Sequence, residues 1–351
     1  MAKPPKTLCI LRLSALGDIT HVLPTLRTLQ KHWPETKISW IIGKTEYQLV
    51  KDIDHINFII FDKSAGIRAY FELNKKIKKH LNKMPFDVLL HMQLSLRASV
   101  ASLFIPAQIK LGFDKTRAKD MQSLFCNQQI VATSTRQHVL DSFLEFPRYF
   151  KLDPVMEWQL PVSTTAIESI RQRMPPDKKL FIINPCAVAK SRNWRNWTAE
   201  GYAAIADYVT EKHNMQVVLT GGFSLLEKNT ANDILALCKK SKPVNLVAST
   251  NINELVAILH LAEVVLAPDT GPVHIASALN TKTIGLYAAT NPDRAGPYNF
   301  KNNVVNKYAE ALLKYNGKSV ENAAWGERIK TGDCMKLITI EDVIEKIDSI
   351  L

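Results

Sequence analysis

The stretch Leu13-Ser-Ala-Leu-Gly-Asp-Ile-Thr-His-Val-Leu-Pro24 follows an apolar run at 8–13. A second stretch, Ala267-Pro-Asp-Thr-Gly-Pro-Val-His-Ile-Ala-Ser-Ala-Leu279, follows the run at 264–267. Each run is typical of a buried parallel strand, and helical periodicity comes after it. A strand, a Gly-containing turn and a helix present helix N-terminal N–H groups to a phosphate. The two stretches therefore predict a two-domain α/β protein that binds an anionic ligand between its halves.

Length and pattern predict two domains. The chain has 351 residues and 46% of them are hydrophobic, which is material for two cores. Strand and helix patterns alternate, so we expect an α/β fold with two Rossmann-like, doubly wound parallel-sheet domains facing a central cleft. The domains are predicted at 1–160 and 166–335, with five strands each and a linker near 153–165. The segment 291–333 is expected to be loop with short elements, and 339–351 a final amphipathic helix.

The net charge of +12 lies mainly in the first half, where residues 1–165 have 23 Lys and Arg against 14 Asp and Glu. This excess indicates an anionic partner, either nucleic acid or a phosphorylated lipid at a membrane surface. No uncharged apolar run reaches the ~18 residues of a transmembrane helix. Arg12 and Asp18 interrupt the N-terminal run where a signal peptide would be apolar, and the five cysteines form no CxxC pair. A cytoplasmic protein with reduced thiols is therefore expected.

Asp18 is the first candidate for catalysis. It follows Gly17 directly after a predicted strand, and ligands of doubly wound sheets bind beyond the carboxyl ends of the strands. A carboxylate at this place could act as a general base. The alternative is that Asp18 is the N-cap of a helix starting near Ile19. His21, one helical turn further on, could be a rival base but is expected to point into helix packing or solvent.

The second stretch brings together four candidate binding residues, Asp269, Thr270, Gly271 and His274. The N–H groups of Thr270 and Gly271 could bind a diphosphate at the helix N-terminus. Pro272 suits the first helical turn, and Asp269 could accept hydrogen bonds from sugar hydroxyls. The alternative is an ordinary helix cap beside a buried His.

Two further turns carry weaker signals. Lys190, Arg192 and Arg195 bring three cations into six residues, and could neutralise a leaving phosphate. By charge alone, a solvated basic loop is the better interpretation. Glu227 follows the turn Thr220-Gly-Gly-Phe and could hold ribose hydroxyls, or it could be a surface carboxylate.

Other patterns favour no specific chemistry. Asp52-Ile-Asp54 matches a metal-binding DxD pattern but leads into a strand, and is interpreted as a solvated loop. The sequence has no zinc-like His and Cys spacing and no P-loop motif. The helix expected at 67–83 has a basic face that is usually only solvated but could here contact an anionic membrane. Its lysines are Lys75, Lys76, Lys78 and Lys79.

Taken together, the motifs resemble glycosyltransferase family 9, the ADP-heptose:lipopolysaccharide heptosyltransferases of Gram-negative bacteria. They are Leu13-Ser-Ala-Leu-Gly-Asp18 with Pro24, Arg192-x-Trp194, Gly221-Gly222 and Asp269-Thr-Gly-x-x-His274, in order along nearly the whole chain. Gly112-Phe-Asp-Lys-Thr-Arg117 further resembles the inner-core members that act on the Kdo residue of lipid A. The resemblance implies a GT-B fold whose N-terminal domain holds the acceptor and whose C-terminal domain holds ADP-heptose. It also implies that the final helix returns to the N-terminal domain.

The resemblance also assigns roles to residues. Asp18 would be the general base, and the four residues named above at 269–274 would form the donor site, with Glu227 as a further candidate. The family typically has Lys two residues before the motif Trp, where this chain has Arg192. Arg192 or Lys190 would therefore meet the donor phosphate.

Cations that follow the third, fourth and fifth strands of the first half are candidates for binding an anionic acceptor. The family's basic cluster after the third strand is reduced here to two residues, which makes a Kdo bearing a phosphate an alternative to a second Kdo. The full candidate set is Lys63, Arg68, Arg97, Lys115, Arg117 and Lys119.

The predicted activity is inverting transfer of heptose from ADP-heptose to the Kdo residue of lipid A, at the inner face of the cytoplasmic membrane. No metal cofactor is expected, because the helix N-terminus and Arg192 can meet the charge of the departing diphosphate. Nucleic acid is not expected as a partner. The alternatives are another acceptor, such as a later core heptose or a protein hydroxyl, and a non-catalytic module that binds nucleotides or polyanions.

Overall fold

The computed structural model describes residues 3–81, 84–131, 136–187 and 193–351. The chain divides between Pro161 and Val162 into two compact units. None of the described helices is both long enough and apolar enough to cross a membrane.

The described part of the first unit contains one sheet of parallel strands. They are β1 (Thr7–Leu11), β2 (Lys37–Gly43), β3 (Ile56–Phe61), β4 (Phe86–His91), β5 (Ala107–Gly112) and β6 (Gln128–Gln129). Their order is β3-β2-β1-β4-β5-β6, so the winding direction changes between β1 and β4. Residues 8–11 of β1 have no exposed surface, as a strand covered by helices on both faces requires.

Helices connect and cover these strands. They are α1 (Leu16–His32), α2 (Lys44–Val50), α3 (Arg68–Leu81), α4 (Leu96–Leu103) and α5 (Val139–Tyr149). α1 packs against α5, and α3 buries Leu73 and Ile77 in the core beneath β3. The register pairs Leu11 of β1 with His91 of β4, so the segments that follow these two strands lie side by side.

The second unit repeats this winding. Its described strands are β7 (Leu180–Ile183), β8 (Gln216–Leu219), β9 (Val244–Asn245), β10 (Val264–Pro268), β11 (Lys282–Tyr287) and β12 (Val304–Asn306). They are parallel, in the order β12-β11-β10-β7-β8-β9, and the winding direction changes between β7 and β10. Leu266 of β10 pairs with Ile183 of β7, which aligns the turns at their carboxyl ends.

The helices of the second unit are α6 (Thr164–Arg171), α7 (Ala199–His213), α8 (Leu225–Leu237), α9 (Ile252–Leu261), α10 (Gly271–Ala278), α11 (Pro292–Ala295), α12 (Tyr308–Asn316) and α13 (Ile340–Asp348). The segment 291–333 is more ordered than its polar composition predicts, because it contains β12 and α12. In α12 the buried residues are Tyr308, Ala311 and Leu312, spaced at three and four, so the helix does have an apolar stripe.

The final helix, α13, belongs to the second unit. Val343 and Ile347 are buried in the core of that unit, where α13 packs against α7 and β12. Asp348 accepts a hydrogen bond from the Tyr208 hydroxyl at 2.7 Å. The apolar stripe of α13 is therefore buried within the second unit. That the helix also packs on the N-terminal domain stays a prediction.

Candidate active site

Asp18 lies in the first turn of α1, beyond the carboxyl end of β1. The helix begins at Leu16 with Ala15 at its N-cap, so the alternative that Asp18 caps a helix starting near Ile19 is wrong. The Asp18 Oδ2 atom accepts a hydrogen bond from the Ala15 N–H at 3.3 Å. A carboxylate is favourable here because the helix N-terminus carries partial positive charge. The Asp18 side chain remains 38% exposed, so a substrate can reach it.

Arg12 holds the same carboxylate from the strand side. Its Nη2 lies 2.6 Å from Asp18 Oδ2, and its Nη1 donates to the Met92 carbonyl oxygen at 2.7 Å. The guanidinium is 5.0 Å from the centre of the Phe143 ring, and Arg12 is buried. Sequence reasoning treated Arg12 only as an interruption of an apolar run. The sequence did contain one signal, which was a charged residue within an apolar run. A charge that is buried needs a partner, so an ion pair could have been expected there.

Gln93 fixes the turn that carries Asp18. Its Oε1 accepts hydrogen bonds from the Leu13 N–H at 2.8 Å and the Ser14 N–H at 3.1 Å, and its Nε2 donates to Ser14 Oγ. The buried Gln122 in turn donates from Nε2 to the Gln93 carbonyl oxygen at 3.3 Å. Sequence reasoning missed both glutamines, because their partners lie far away along the chain.

Two histidines near this turn are packed. His91 ends β4 with no exposed surface, and burial lowers its pKa to about 4, so the ring is neutral at pH 7. Gln122 Nε2 lies 2.8 Å from its Nδ1. His21 is buried with its ring centre 5.3 Å from that of His138, as expected for a packed side chain.

A small depression beside this turn is lined by Ser14, Gln93 and two of the predicted acceptor-binding cations, Lys63 and Arg97. Both cations are exposed. Lys63 Nζ is 3.8 Å from Oε1 of Glu46, a buried carboxylate on α2. The structure thus brings two cations, one from the turn after β3 and one from the first turn of α4, to Ser14 in the turn that leads to Asp18.

Arg117 is not a free cation. It forms ion pairs with Asp114 and with the buried Glu145, and its guanidinium is 5.7 Å from the centre of the Phe113 ring. Burial raises the pKa of Asp114, but hydrogen bonds to its carboxylate, among them one from Arg117, lower it below the usual range. The expectation that Arg117 binds the acceptor is therefore corrected, because its charge is already neutralised within the first unit. The remaining candidates, exposed to solvent, are Arg68, Lys115 and Lys119.

In the second unit, Asp269 occupies the turn after β10. Its Oδ1 is 3.5 Å from His274 Nε2, while Arg195 Nη1 donates to its carbonyl oxygen at 2.7 Å and lies 3.3 Å from its Oδ2. Burial raises the pKa of Asp269, but His274 and Arg195 outweigh it and lower the pKa to about 2. Asp269 is therefore ionised at pH 7. Arg195 was grouped with the loop cations, and its contact with Asp269 was not predicted.

The helix after this turn presents its N-terminus beside Asp269. α10 begins at Gly271, and Thr270, at the N-cap, has extended backbone and makes no side-chain capping bond. Pro272 in the first turn removes one N–H that would have no helical acceptor. The other first-turn N–H groups lack partners within the helix, which is the arrangement that binds anions.

Glu227 caps its own helix. Its carboxylate accepts hydrogen bonds from the Gly222 N–H at 2.6 Å and from the Ser224 hydroxyl at 2.6 Å, in a capping box at the start of α8. The carboxylate is thus neither a purely solvated group nor free to reorient. It closes the Gly-rich turn after β8.

Lys190 and Arg192 lie outside the described residues. The loop resumes at Asn193, whose Nδ2 donates to the Ala187 carbonyl oxygen at 2.9 Å. Trp197, in the described part of the loop, is buried. Within the described part of this loop, Arg195 is therefore the cation that reaches the turn after β10.

Comparison with known proteins gives a consistent result. A model of glycosyltransferase family 9 (heptosyltransferase) matches residues 74–323. Lipopolysaccharide core heptosyltransferase OpsX of Haemophilus influenzae is 38% identical over 97% of this chain and 95% of its own length. The family 9 glycosyltransferase of Veillonella parvula superposes with a TM-score of 0.80 at 18% identity, covering 100% of this chain and 98% of that one. Escherichia coli heptosyltransferase WaaC, solved with ADP, superposes with a TM-score of 0.71 at 17% identity, covering 98% and 100%.

Two doubly wound units of parallel strands place the protein in the GT-B fold class. The chain belongs to glycosyltransferase family 9, the heptosyltransferases. The predicted fold class and the family resemblance of the motifs are confirmed.

Proposed function

We propose that this enzyme transfers heptose from ADP-heptose to the Kdo residue of lipid A in lipopolysaccharide core synthesis, with inversion at the anomeric carbon. The observation that carries the proposal is the carboxylate of Asp18, which lies beyond β1 where the winding direction changes and is 38% exposed. The 38% identity to OpsX, a lipopolysaccharide core heptosyltransferase, supports the substrate class.

The reaction is a single displacement. Asp18 takes the proton of a Kdo hydroxyl while that oxygen attacks the anomeric carbon of the heptose. The new carbon–oxygen bond forms as the bond from the anomeric carbon to the diphosphate oxygen breaks, and ADP leaves with the electron pair. Proton removal by a positioned base contributes about 10²–10⁴-fold to such a step.

The donor is proposed to bind at the turn after β10. The N-terminus of α10 at Thr270 and Gly271 offers N–H groups to a diphosphate, and Arg195 adds a cation beside them. These groups can stabilise the charge that develops on the departing ADP, so the proposed reaction requires no metal ion. Turnover in the presence of a chelator should match turnover without it. The E. coli relative solved with ADP supports a nucleotide donor.

The acceptor is proposed to reach the first unit at the inner face of the cytoplasmic membrane. Ile67 and Phe71 are 75% and 64% exposed at the start of α3. Apolar side chains next to cations suit an anionic lipid surface. Lys63 and Arg97 would then bind the anionic groups of the acceptor next to Asp18. The exposed lysines of α3 are Lys75, Lys76, Lys78 and Lys79.

An acceptor comparison tests the proposal. The purified enzyme is given ADP-heptose with lipid A carrying one Kdo, Kdo-phosphate or two Kdo, and separately with a later core heptose. We expect transfer to a Kdo-bearing acceptor, with an inverted anomeric centre in the product by NMR. Transfer only to a later core heptose or a protein hydroxyl, or retention at the anomeric carbon, would contradict it. Titration calorimetry should show binding of ADP, whereas a polyanion-binding module would show no nucleotide preference.

A further inference from the structure

We propose that Arg12 is a positioning residue that gives the two oxygens of Asp18 different tasks, which rests on the proposed role of Asp18 as the base. Oδ2 accepts both recorded contacts, from Arg12 Nη2 at 2.6 Å and from the Ala15 N–H at 3.3 Å. Within the ranges that the structure describes, no group donates to Oδ1. Oδ1 is therefore the atom that takes the proton from the acceptor hydroxyl.

Arg12 can hold this geometry because it is itself held on several sides. Its second terminal nitrogen donates to the Met92 carbonyl oxygen at 2.7 Å, and its guanidinium lies 5.0 Å from the centre of the Phe143 ring. A planar guanidinium directs its donors along fixed lines, whereas a lysine ammonium is a rotatable point charge. Arg12, which follows β1, therefore fixes the position of Oδ2 and with it the direction of Oδ1. The backbone of α1 does not set this geometry alone.

Arg12 also neutralises the carboxylate that an anionic acceptor must approach. A lone carboxylate at Asp18 would repel the carboxylate or phosphate groups of such an acceptor, but the Arg12–Asp18 pair has no net charge. The exposed Lys63 and Arg97 beside the same turn can then attract the acceptor without opposition from the base.

Stability alone does not account for an arginine at this position. The Nε atom of Arg12 is buried and has no hydrogen-bond partner among the described residues, which destabilises the folded state. An ion pair with a partly exposed carboxylate such as Asp18 commonly contributes little to stability. An apolar residue at position 12 would extend the buried run of β1 without leaving a donor unsatisfied. The charge of Arg12 therefore acts to position the Asp18 carboxylate.

The test compares Arg12→Met and Arg12→Lys with wild type, using ADP-heptose and the acceptor that supports transfer. Without the guanidinium, Arg12→Met should lower kcat by about 10- to 100-fold, because the reacting oxygen is misdirected. Its acceptor KM should rise at low salt, with the rise fading as salt screens the exposed carboxylate. Arg12→Lys should restore the acceptor KM but recover kcat only in part. The donor KM should stay within about twofold in both variants, since Arg12 lies in the proposed acceptor half.

Arg27→Met is the matched control. Arg27 lies on the same helix as Asp18 and also donates to main-chain oxygens, those of Trp158 and Gln159, without touching the carboxylate. It should lower the melting temperature and leave kcat unchanged. A kcat of Arg12→Met within twofold of wild type, or a donor KM that changes as much as kcat, overturns the proposal. If Arg12→Met does not fold, a wild-type kcat in Arg12→Lys overturns it.

A double-mutant cycle separates this proposal from the proposed function. In an Asp18→Asn background, Arg12→Met should lower kcat no further, because the group that Arg12 positions is gone. Full additivity contradicts the role of Arg12 and leaves Asp18 as the base. Normal turnover in Asp18→Asn alone removes the base itself, and with it the proposed mechanism.

Discussion

Arg195 contacts Asp269 at two oxygens: its Nη1 lies 2.7 Å from the carbonyl oxygen and 3.3 Å from Oδ2 of the carboxylate. The two residues are 74 positions apart in the sequence. Arg12 and Asp18 form a corresponding pair at 2.6 Å in the first unit. Each pair lies where its sheet changes winding direction, so both halves place a counter-ion beside the carboxylate that the reaction is proposed to use.

Removal of the proposed base should slow the transfer reaction strongly but leave ADP binding intact. Asp18→Asn keeps the side-chain shape and can still accept the Ala15 N–H, so the fold and ADP affinity should be retained. We expect kcat to fall by about 10²–10⁴-fold. Single-turnover kinetics and ADP calorimetry on the same preparation provide the check. Turnover near the wild-type value would exclude Asp18 from the mechanism.

Changes at the turn after β10 should act on the donor. Asp269→Ala or His274→Ala breaks the contact between the two side chains and should raise the donor KM more than the acceptor KM. Asp207→Ala is a suitable control, because its carboxylate caps main-chain N–H groups of the same unit, including those of Lys239 and Ser241. That variant should lose stability with a normal donor KM. A rise confined to the acceptor KM in Asp269→Ala would mean that the substrate sides are reversed.

His91 should make the fold less stable in mild acid. Burial lowers its pKa from 6.5 to about 4, so between these values the unfolded chain binds a proton that the folded chain does not. Its contribution to the free energy of unfolding is complete above pH ~6.5 and is lost as pH falls towards 4, by about 3 kcal/mol. Urea unfolding at pH 7 and pH 4.5 should show a smaller pH dependence in His91→Gln than in wild type. An identical pH dependence would contradict this assignment.

Arg117 and Lys119 should behave differently although they are neighbours. Arg117→Met removes the ion pair to the buried Glu145 and should lower the free energy of unfolding by about 3 kcal/mol. Lys119→Met removes an exposed charge, so its stability should stay near that of wild type while the acceptor KM rises. Thermal unfolding and acceptor kinetics of the two variants give the comparison. Equal stability of both would show that the Arg117–Glu145 pair is not structural.

The lysines of α3 should govern membrane binding. Changing Lys75, Lys78 and Lys79 to Gln should weaken binding to anionic vesicles by about 1 kcal/mol per charge, and the difference should fade with salt. Activity on a soluble, deacylated acceptor should change little. The matched control replaces exposed lysines of the second unit, namely Lys228, Lys239 and Lys242. Equal vesicle binding by both triple variants would contradict the placement of the membrane surface on α3.

The regular elements were largely predictable because their signal is local. Continuous apolar runs such as β1 and β10 can only be buried strands of a parallel sheet in this setting. The turns after them were recognisable because Gly17 and Gly271 stand between strand and helix patterns. β12 and α12 were not predicted individually, because they are only three and nine residues long and lie within a polar segment.

The partners of the site residues could not be predicted in the same way. The hydrogen bond from Arg12 to Met92 and the one from the Leu13 N–H to Gln93 each span 80 positions, and no local pattern encodes them. The ion pair of Arg117, in the loop after β5, with Glu145 of α5 was not predicted for the same reason. Composition and spacing identify which residues can carry charge, but only the fold shows which charges are already paired.

The packing of α13 within the second unit bears on how enzymes of this architecture could be recombined. Its apolar stripe is buried against α7 and β12, so the second unit contains α13 as part of its own core. A chimera can therefore be joined at a single junction, between Pro161 and Val162, without transplanting a terminal segment as well. Under the proposed function, exchange of the first 161 residues would change the acceptor preference, which makes them a natural unit for directed evolution.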